Sequence, residues 1–168
     1  HAVQKEQPLP EMQLLAEIIL TDPLRANAAK TIAAFQQEGV SVKLISGDNP
    51  MTASAMAQQA GVFQGDRWVD MRTVADSEMD AAAAQYTVFG RVTPQQAFHR
   101  QKHTVAMTGD GVNDLLALKE ADCSISVGQG SDAARQTAQL VLLDSDFAVL
   151  KDVLLEGRRL VHNVTRSA

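Results

Sequence analysis

The sequence predicts an α/β fold: a doubly wound, mainly parallel open sheet with helices on both faces. Two observations carry that expectation. The spacing of apolar residues switches repeatedly between the period of a strand and that of a helix. Strands that alternate with helices in this way build parallel βαβ units with right-handed crossovers. The chain of 168 residues, 45% of them apolar, suits a single domain, 1–168, with a sizeable core.

Taken in order, the stretch from Leu14 to Leu20 is mostly apolar and reads as a strand. Asp22-Pro23 reads as N-cap and first residue of a helix with the stripe Leu24, Ala28, Ile32 and Phe35, ended by Gly39. The next strand runs from Val40 to Ser46, and its Leu44-Ile45 run is typical of burial on both faces. Asn49-Pro50 opens a helix to Ala60, closed by Gly61. Between residues 62 and 85 the pattern yields a turn at Gly65-Asp66 and an alanine-rich helix from Asp76 to Gln85. A third strand from Tyr86 to Phe89, a short helix from Pro94 to Lys102 and a fourth strand from Val105 to Thr108 follow. Then come a helix from Asn113 to Ala121, a strand from Ile125 to Val127 and a helix capped by Ser131 and reaching Ala138. A strand from Leu140 to Leu143 and a long helix from Asp146 to His162 complete the order.

Composition narrows the function. Fifteen Lys and Arg against 20 Asp and Glu leave a net charge of −5 with no basic block, which argues against nucleic acid or anionic lipid as partner. The single cysteine, Cys123, forms no internal disulfide and points to a reducing compartment. Flanked by strand sequence, it reads as an apolar filler and not a nucleophile. No apolar run approaches the ~18 residues of a membrane span, and no signal peptide opens the chain, so a soluble cytosolic domain is expected.

In open α/β sheets ligands bind beyond the carboxyl ends of the strands. Two such ends carry polar loops, Ser46-Gly47-Asp48-Asn49 and Thr108-Gly109-Asp110-Gly111-Val112-Asn113-Asp114, which are expected to converge on one crevice. In the second, the glycines allow tight backbone and close approach of a ligand, and the Asp110 carboxylate follows the strand directly. Asp114 lies near the start of the next helix, where it either faces the same ion or supports Asp110 from behind. Two carboxylates and Asn113 are hard oxygen donors that suit Mg²⁺ over zinc, and the adjacent helix start favours phosphate. A Gly-Asp-Gly alone is equally a polar turn with a capping Asp; the full run between strand and helix is what favours the site. In the first loop the Ser46 hydroxyl and the amide of Gly47 can cradle a phosphoryl group, while Asp48 or Asn49 can equally cap the helix at Pro50.

Several motifs stand together in one order: Asp22-Pro23-Leu24-Arg25, Ser46-Gly47-Asp48-Asn49, Arg91-Val92-Thr93-Pro94 and the Asp110 run followed by Ala117-Leu118-Lys119. Gly130-Ser131-Asp132-Ala133-Ala134 and Glu156-Gly157-Arg158 continue it. From Leu14 to its end the chain thereby resembles the phosphorylation domain of P-type cation-transporting ATPases, within the haloacid-dehalogenase superfamily. The resemblance implies a haloacid-dehalogenase-like fold and a cycle in which ATP phosphorylates an Asp to an aspartyl phosphate that is then hydrolysed. It implies Asp110 as Mg²⁺ ligand with Asn113 and Asp114 beside it, Ser46 and Gly47 on the phosphoryl oxygens, and Asp22, Arg25, Asp48 and Arg91 on the side of ATP. It further implies a parent in the cell membrane with this segment, the C-terminal part of the phosphorylation domain, on the cytoplasmic side. The partners would be nucleotide-binding and transmembrane domains of the same parent and a transported cation. The tail motifs resemble calcium-type pumps more than heavy-metal pumps.

Two departures stand out. The family's phosphorylated segment, Asp-Lys-Thr-Gly-Thr, does not occur in this sequence, so the chain is expected to begin after it and after the nucleotide-binding domain. Where the family places a Lys three residues after the Pro of Arg-Val-x-Pro, this chain has Ala97. The crossover between Gly90 and His103 is at the minimum length for a parallel connection, and residues are expected to be missing near Lys102. The chain alone is therefore expected to be inactive, with an open sheet edge that promotes self-association. Two other readings remain: a soluble phosphatase of the same superfamily, for which Asp22 is the early nucleophile candidate, and a non-catalytic Mg²⁺- or phosphate-binding module.

Overall fold

The computed structural model describes residues 15–16, 23–93, 103–143 and 146–167. They contain strands β1 (Leu44–Ile45), β2 (Trp68–Asp70), β3 (Val88–Gly90), β4 (Ala106–Gly109), β5 (Cys123–Val127) and β6 (Leu140–Leu142). Helices α1 (Ala28–Gln37), α2 (Pro50–Gln59), α3 (Met79–Gln85), α4 (Leu115–Glu120), α5 (Asp132–Thr137) and α6 (Val149–Ser167) alternate with them. Every strand pair is parallel. The expected doubly wound α/β fold is present, but its sheet comes in two pieces, with orders β1-β3-β2 and β4-β5-β6. β1 and β4 are each an edge, and they are not paired with one another.

Burial follows that topology. The central strand β3 is buried throughout, and β5 is buried at its three middle residues. β1 and β4 alternate between half-buried and exposed, unusual for parallel strands, which are normally covered on both sides. One cluster packs Ala53, Ala57 and Ala60 of the α2 region against Val62 and Val88, with Leu24, Ile32 and Leu44 at its margin. A second joins Val69, Met71, Met79 and Phe89. The third joins Ile125, Leu142 and Leu150, with Phe35 and Phe147 packed on it at a ring separation of 5.7 Å. Helix α1 therefore touches both sheets, through Ile32 on one and Phe35 on the other. Two polar links tie it to the C-terminal region: Asn27 Nδ2 donates to both Asp146 carboxylate oxygens at 2.9 and 3.0 Å, and Arg158 pairs with Glu38.

Local chemistry explains most boundaries. Asn49 Oδ1 accepts from Met51 N at 2.9 Å and Pro50 takes the first helical position of α2. Gly39 and Gly61 close α1 and α2 with φ of +79° and +76°, as glycine permits. Ser131 Oγ accepts from Ala134 N and caps α5. Several elements differ from the sequence reading. Helix α1 starts at Ala28 with Asn27 at its N-cap, so Asp22-Pro23 does not open it and Pro23 lies in irregular chain. β1 keeps only the last part of the stretch from Val40 to Ser46, because a strand with one partner pairs only where β3 runs beside it. Trp68–Asp70 is a strand with no counterpart in the reading: three residues are too few to show a period. The last helix starts at Val149, with Asp146 Oδ1 accepting from Ala148 N before it. The strand expected from Leu14 to Leu20, apart from Leu15 and Ala16, and the helix expected from Pro94 to Lys102 lie outside the described residues. Among the described residues no helix is long and apolar enough to cross a membrane.

Candidate functional site

The Ser46 loop leaves the end of β1. Ser46 N donates to Phe89 O at 2.9 Å, the last rung of the ladder with β3. Its half-buried side chain folds back, Oγ accepting from Asp48 N at 3.1 Å. That bond occupies a lone pair and leaves the hydroxyl proton for an acceptor outside the loop. A Cβ on Gly47 would meet nothing within 4 Å, so the loop has open space on that side. Asn49, not Asp48, is the side chain that caps α2; Asp48 is exposed.

The Asp110 loop leaves the end of β4 and is held from inside by Asp114. Asp114 Oδ2 accepts from Asp110 N at 3.2 Å and from Gly111 N at 3.0 Å. With the backbone bond from Asp114 N to Gly111 O at 3.3 Å, this closes the turn before α4. A Cβ on Gly109 would lie 2.6 Å from Asp114 Cβ, so the glycine is what lets Asp114 reach under the loop. Asp110 O in turn accepts from Ser131 N at 2.8 Å, anchoring the loop to the cap of α5. The result is an exposed Asp110 carboxylate on a backbone fixed at its N–H and its C=O, with Asn113 exposed beside it. Of the two roles open to Asp114, support from behind is the one its Oδ2 performs.

Arg91 stands at the end of β3, tied to the Ser46 loop through its backbone. Arg91 N donates to Asp48 O at 2.9 Å and Val92 N to Ser46 O at 3.1 Å. Arg91 adopts φ +54°, rare for a residue with a side chain. Asp70, in register with Gly90 on the neighbouring strand, faces it with Oδ2 at 3.7 Å from Arg91 Nε. Arg72 clamps the same carboxylate by Nε at 3.0 Å and Nη2 at 2.6 Å and holds its pKa down to about 2. Asp70 was not singled out from sequence. An acidic residue ending a three-residue strand leaves no motif, and its partner Arg91 comes from a different strand end.

The structure thus brings together Ser46, Gly47, Asp48 and Arg91 around one strand end and Asp110, Asn113 and Asp114 around another. Ser46, Gly47 and Asp48 follow the edge strand β1, Arg91 follows the central β3 beside it, and Asp110, Asn113 and Asp114 follow the edge strand β4 of the other sheet. Arg25 lies in the exposed segment before α1, and Asp22 and Ala97 lie outside the described residues. Among the described residues no three His, Cys, Asp or Glu side chains are grouped as metal ligands. The hard-oxygen donors Asp110 and Asp114 nonetheless fit Mg²⁺, an ion that takes one or two carboxylates and completes its shell with water and phosphate. Cys123 is half-buried in β5, at the margin of the cluster of Ile125, Leu142 and Leu150 and not fully buried as a core filler would be. A shallow concavity elsewhere is lined by Glu38 and by Leu155, Glu156, Arg158 and His162 of α6, of which Glu156 and Arg158 belong to the tail motif and the others to none.

Residues 2–122 match the family model of haloacid dehalogenase-like hydrolases. A probable cation-transporting ATPase of Streptococcus pneumoniae is 45% identical over 98% of this chain and 22% of its own length. A calcium-transporting ATPase of Mycobacterium bovis is 42% identical over 99% of this chain and 22% of its own length. A magnesium-transporting P-type ATPase of Salmonella typhimurium is 34% identical over 93% and 18%. The chain therefore spans about a fifth of the length of the curated relatives it matches. Among solved structures, a zinc-transporting PIB-type ATPase in its E2.Pi state superposes with a TM-score of 0.65 at 27% identity, over 87% of this chain and 21% of that one. The catalytic domain of a CPx-ATPase, at 21% identity and a TM-score of 0.60, covers 79% of this chain and 46% of that one and shares the fold. The chain belongs to the haloacid dehalogenase-like hydrolases, and nearly all of it matches a segment of the cation-transporting P-type ATPases.

Proposed function

We propose that this chain supplies the Mg²⁺- and phosphate-binding loops of an ATP-driven, cation-transporting ATPase that works through an aspartyl phosphate. One observation carries the reading: both motif loops leave the ends of edge strands, β1 and β4, whose outer sides have no partner among the described residues. A further parallel strand laid between β1 and β4 would join the two sheets and deliver its own carboxyl end between the Ser46 and Asp110 loops. A strand bearing the family's Asp-Lys-Thr-Gly-Thr segment is the occupant that fits, because its Asp would arrive where both loops open.

Each residue then has a task its geometry supports. The Ser46 hydroxyl proton and the Gly47 amide donate to the phosphoryl oxygens. Asp110, with the other oxygen of Asp114, would hold Mg²⁺ while Asp114 Oδ2 keeps the loop in shape and Asn113 lines the same rim. When bound, Mg²⁺ supplies positive charge against the phosphoryl oxygens. Arg25, Arg91 and Asp48 would serve the side of ATP, and Asp22, outside the described residues, joins them on the resemblance alone. The nucleophilic carboxylate attacks the γ-phosphorus as the bond to ADP breaks, and water later cleaves the acyl phosphate. The parent spans the cell membrane with this segment on its cytoplasmic side, joined to nucleotide-binding and transmembrane domains that move the cation.

Labelled ATP followed by an acid quench tests the assignment. The full-length protein should retain hydroxylamine-labile label in the presence of Mg²⁺, and Asp110→Asn should lower it by about 100-fold or more. This chain alone should acquire none, since no nucleophile segment is present. Undiminished labelling of Asp110→Asn, or hydroxylamine-labile label on the chain alone, would overturn the reading.

A further inference from the structure

The end of β3 carries a charge arrangement that neither motif loop accounts for. Arg91 holds a left-handed backbone, φ +54°, immediately after Gly90, whose missing side chain lets β3 press against Pro50. Its guanidinium Nε is buried and makes no hydrogen bond. What offsets that burial is the Coulomb contact with Asp70 at 3.7 Å. Asp70 is itself fixed: Arg72 N donates to Oδ1 at 3.1 Å, the Arg72 fork grips both oxygens, and Thr73 Oγ1 donates to Asp70 O at 2.8 Å. With 18% of its side chain exposed, against 63% for Arg72 and 40% for Arg91, the carboxylate is the covered centre of the cluster. The same turn is bonded to Asp48 O and Ser46 O through the backbone N–H groups of Arg91 and Val92, bonds that do not depend on where the guanidinium points.

We propose that Asp70 is a positioning residue: clamped by Arg72, its carboxylate holds Arg91 in the turn that presents the guanidinium beside the Ser46-Gly47-Asp48 loop. The inference rests on the reading of Arg91 as a residue on the ATP side. Neutralising Asp70 removes the charge that offsets a buried Nε, and the side chain then leaves its orientation. The effect belongs to nucleotide engagement and not to the chemistry at the acyl phosphate.

The test uses the full-length protein with Asp70→Asn, Asp70→Glu and Arg91→Ala, singly and with Asp70→Asn and Arg91→Ala combined. Asp70→Asn should raise KM for ATP about tenfold with kcat within about twofold, and Asp70→Glu should recover much of the loss. The double variant should be no worse than Arg91→Ala, because both changes remove one interaction. Acyl phosphate formed from inorganic phosphate, the hydrolysis step run backwards without nucleotide, should stay at the unsubstituted level in Asp70→Asn. An unchanged KM in Asp70→Asn beside a raised KM in Arg91→Ala overturns the proposal and leaves the Arg91 reading standing, as does additivity in the double variant. Loss of labelling from inorganic phosphate in Asp70→Asn reduces Asp70 to a structural role. An unchanged KM in Arg91→Ala removes the reading and the proposal with it.

Discussion

At the scale of single residues, two glycines in the same neighbourhood have opposite tolerances. A Cβ on Gly90 would fall 2.4 Å from Pro50 Cα and 2.5 Å from Pro50 N, backbone that cannot step aside. Gly90→Ala should therefore destabilise the fold by about 2–4 kcal/mol. Gly47→Ala, with open space around the new methyl, should stay within about 0.5 kcal/mol. Urea unfolding of the two variants reads the contrast, and equal losses would refute the packing described for Gly90. Asp70 supplies a pH signature. Its pKa falls from 3.8 to about 2, chiefly through the hydrogen bond from Arg72, so its stabilising contribution is complete above 3.8 and is lost as pH falls through 2. The gap in melting temperature between the native chain and Asp70→Asn should be constant at neutral pH and close across that acid window. A gap that persists below pH 2 would detach the stabilisation from the ionised carboxylate. The positions of Ser46 and Asp110 at strand ends were legible in sequence because each follows an apolar strand run directly. Asp70 was not, since its importance arises from a cross-strand register that no local pattern displays.

Elements behaved according to how much of their definition is local. Helix α2 was legible from Asn49, Pro50 and Gly61 because cap, first turn and stop are all chemical signals carried in the chain. Strand ends depend on a neighbour, which is why β1 shrank to Leu44–Ile45 and β2 went unread. The residue preceding β1 shows what replaces pairing there. Lys43 Nζ donates to Ala83 O and Tyr86 O, both at 2.7 Å, at the carboxyl end of α3, and lies 5.6 Å from the centre of the Phe89 ring. A cation at that end satisfies carbonyls the helix leaves unpaired and complements its dipole. Partial burial pushes the Lys43 pKa down, a cost the two carbonyls offset. Lys43→Met keeps the stem and removes the charge; it should lower stability by about 0.5–1 kcal/mol and loosen α3 first. Amide hydrogen exchange at Ala84 to Tyr86 checks the location, and unchanged protection there would mean that the cap does not hold the helix end.

The whole molecule is governed by its divided sheet. In a continuous parallel sheet β1 and β4 would be interior strands, yet among the described residues both have an open side, and β4 leaves Ala106 and Thr108 exposed. Helix α1, reaching Ile32 to one sheet and Phe35 to the other, is the packed element that links them. Unpaired strand edges bearing apolar groups template association with other chains, and Ile45 on β1 is 39% exposed. The chain should therefore associate with itself in a concentration-dependent way, and sedimentation velocity across a concentration series measures this. Lysines on edge strands oppose pairing, so Ile45→Lys combined with Thr108→Lys should restore the monomer while leaving α1 and its two contacts in place. The distinguishing measurement is a competitor strand. A peptide carrying an apolar strand that ends in Asp-Lys-Thr-Gly-Thr should suppress association of the native chain, because it takes the same edges. A scrambled peptide of equal composition should not. A chain that stays monomeric at every concentration, or one dispersed equally by both peptides, would show that β1 and β4 are not the open seam of this fold.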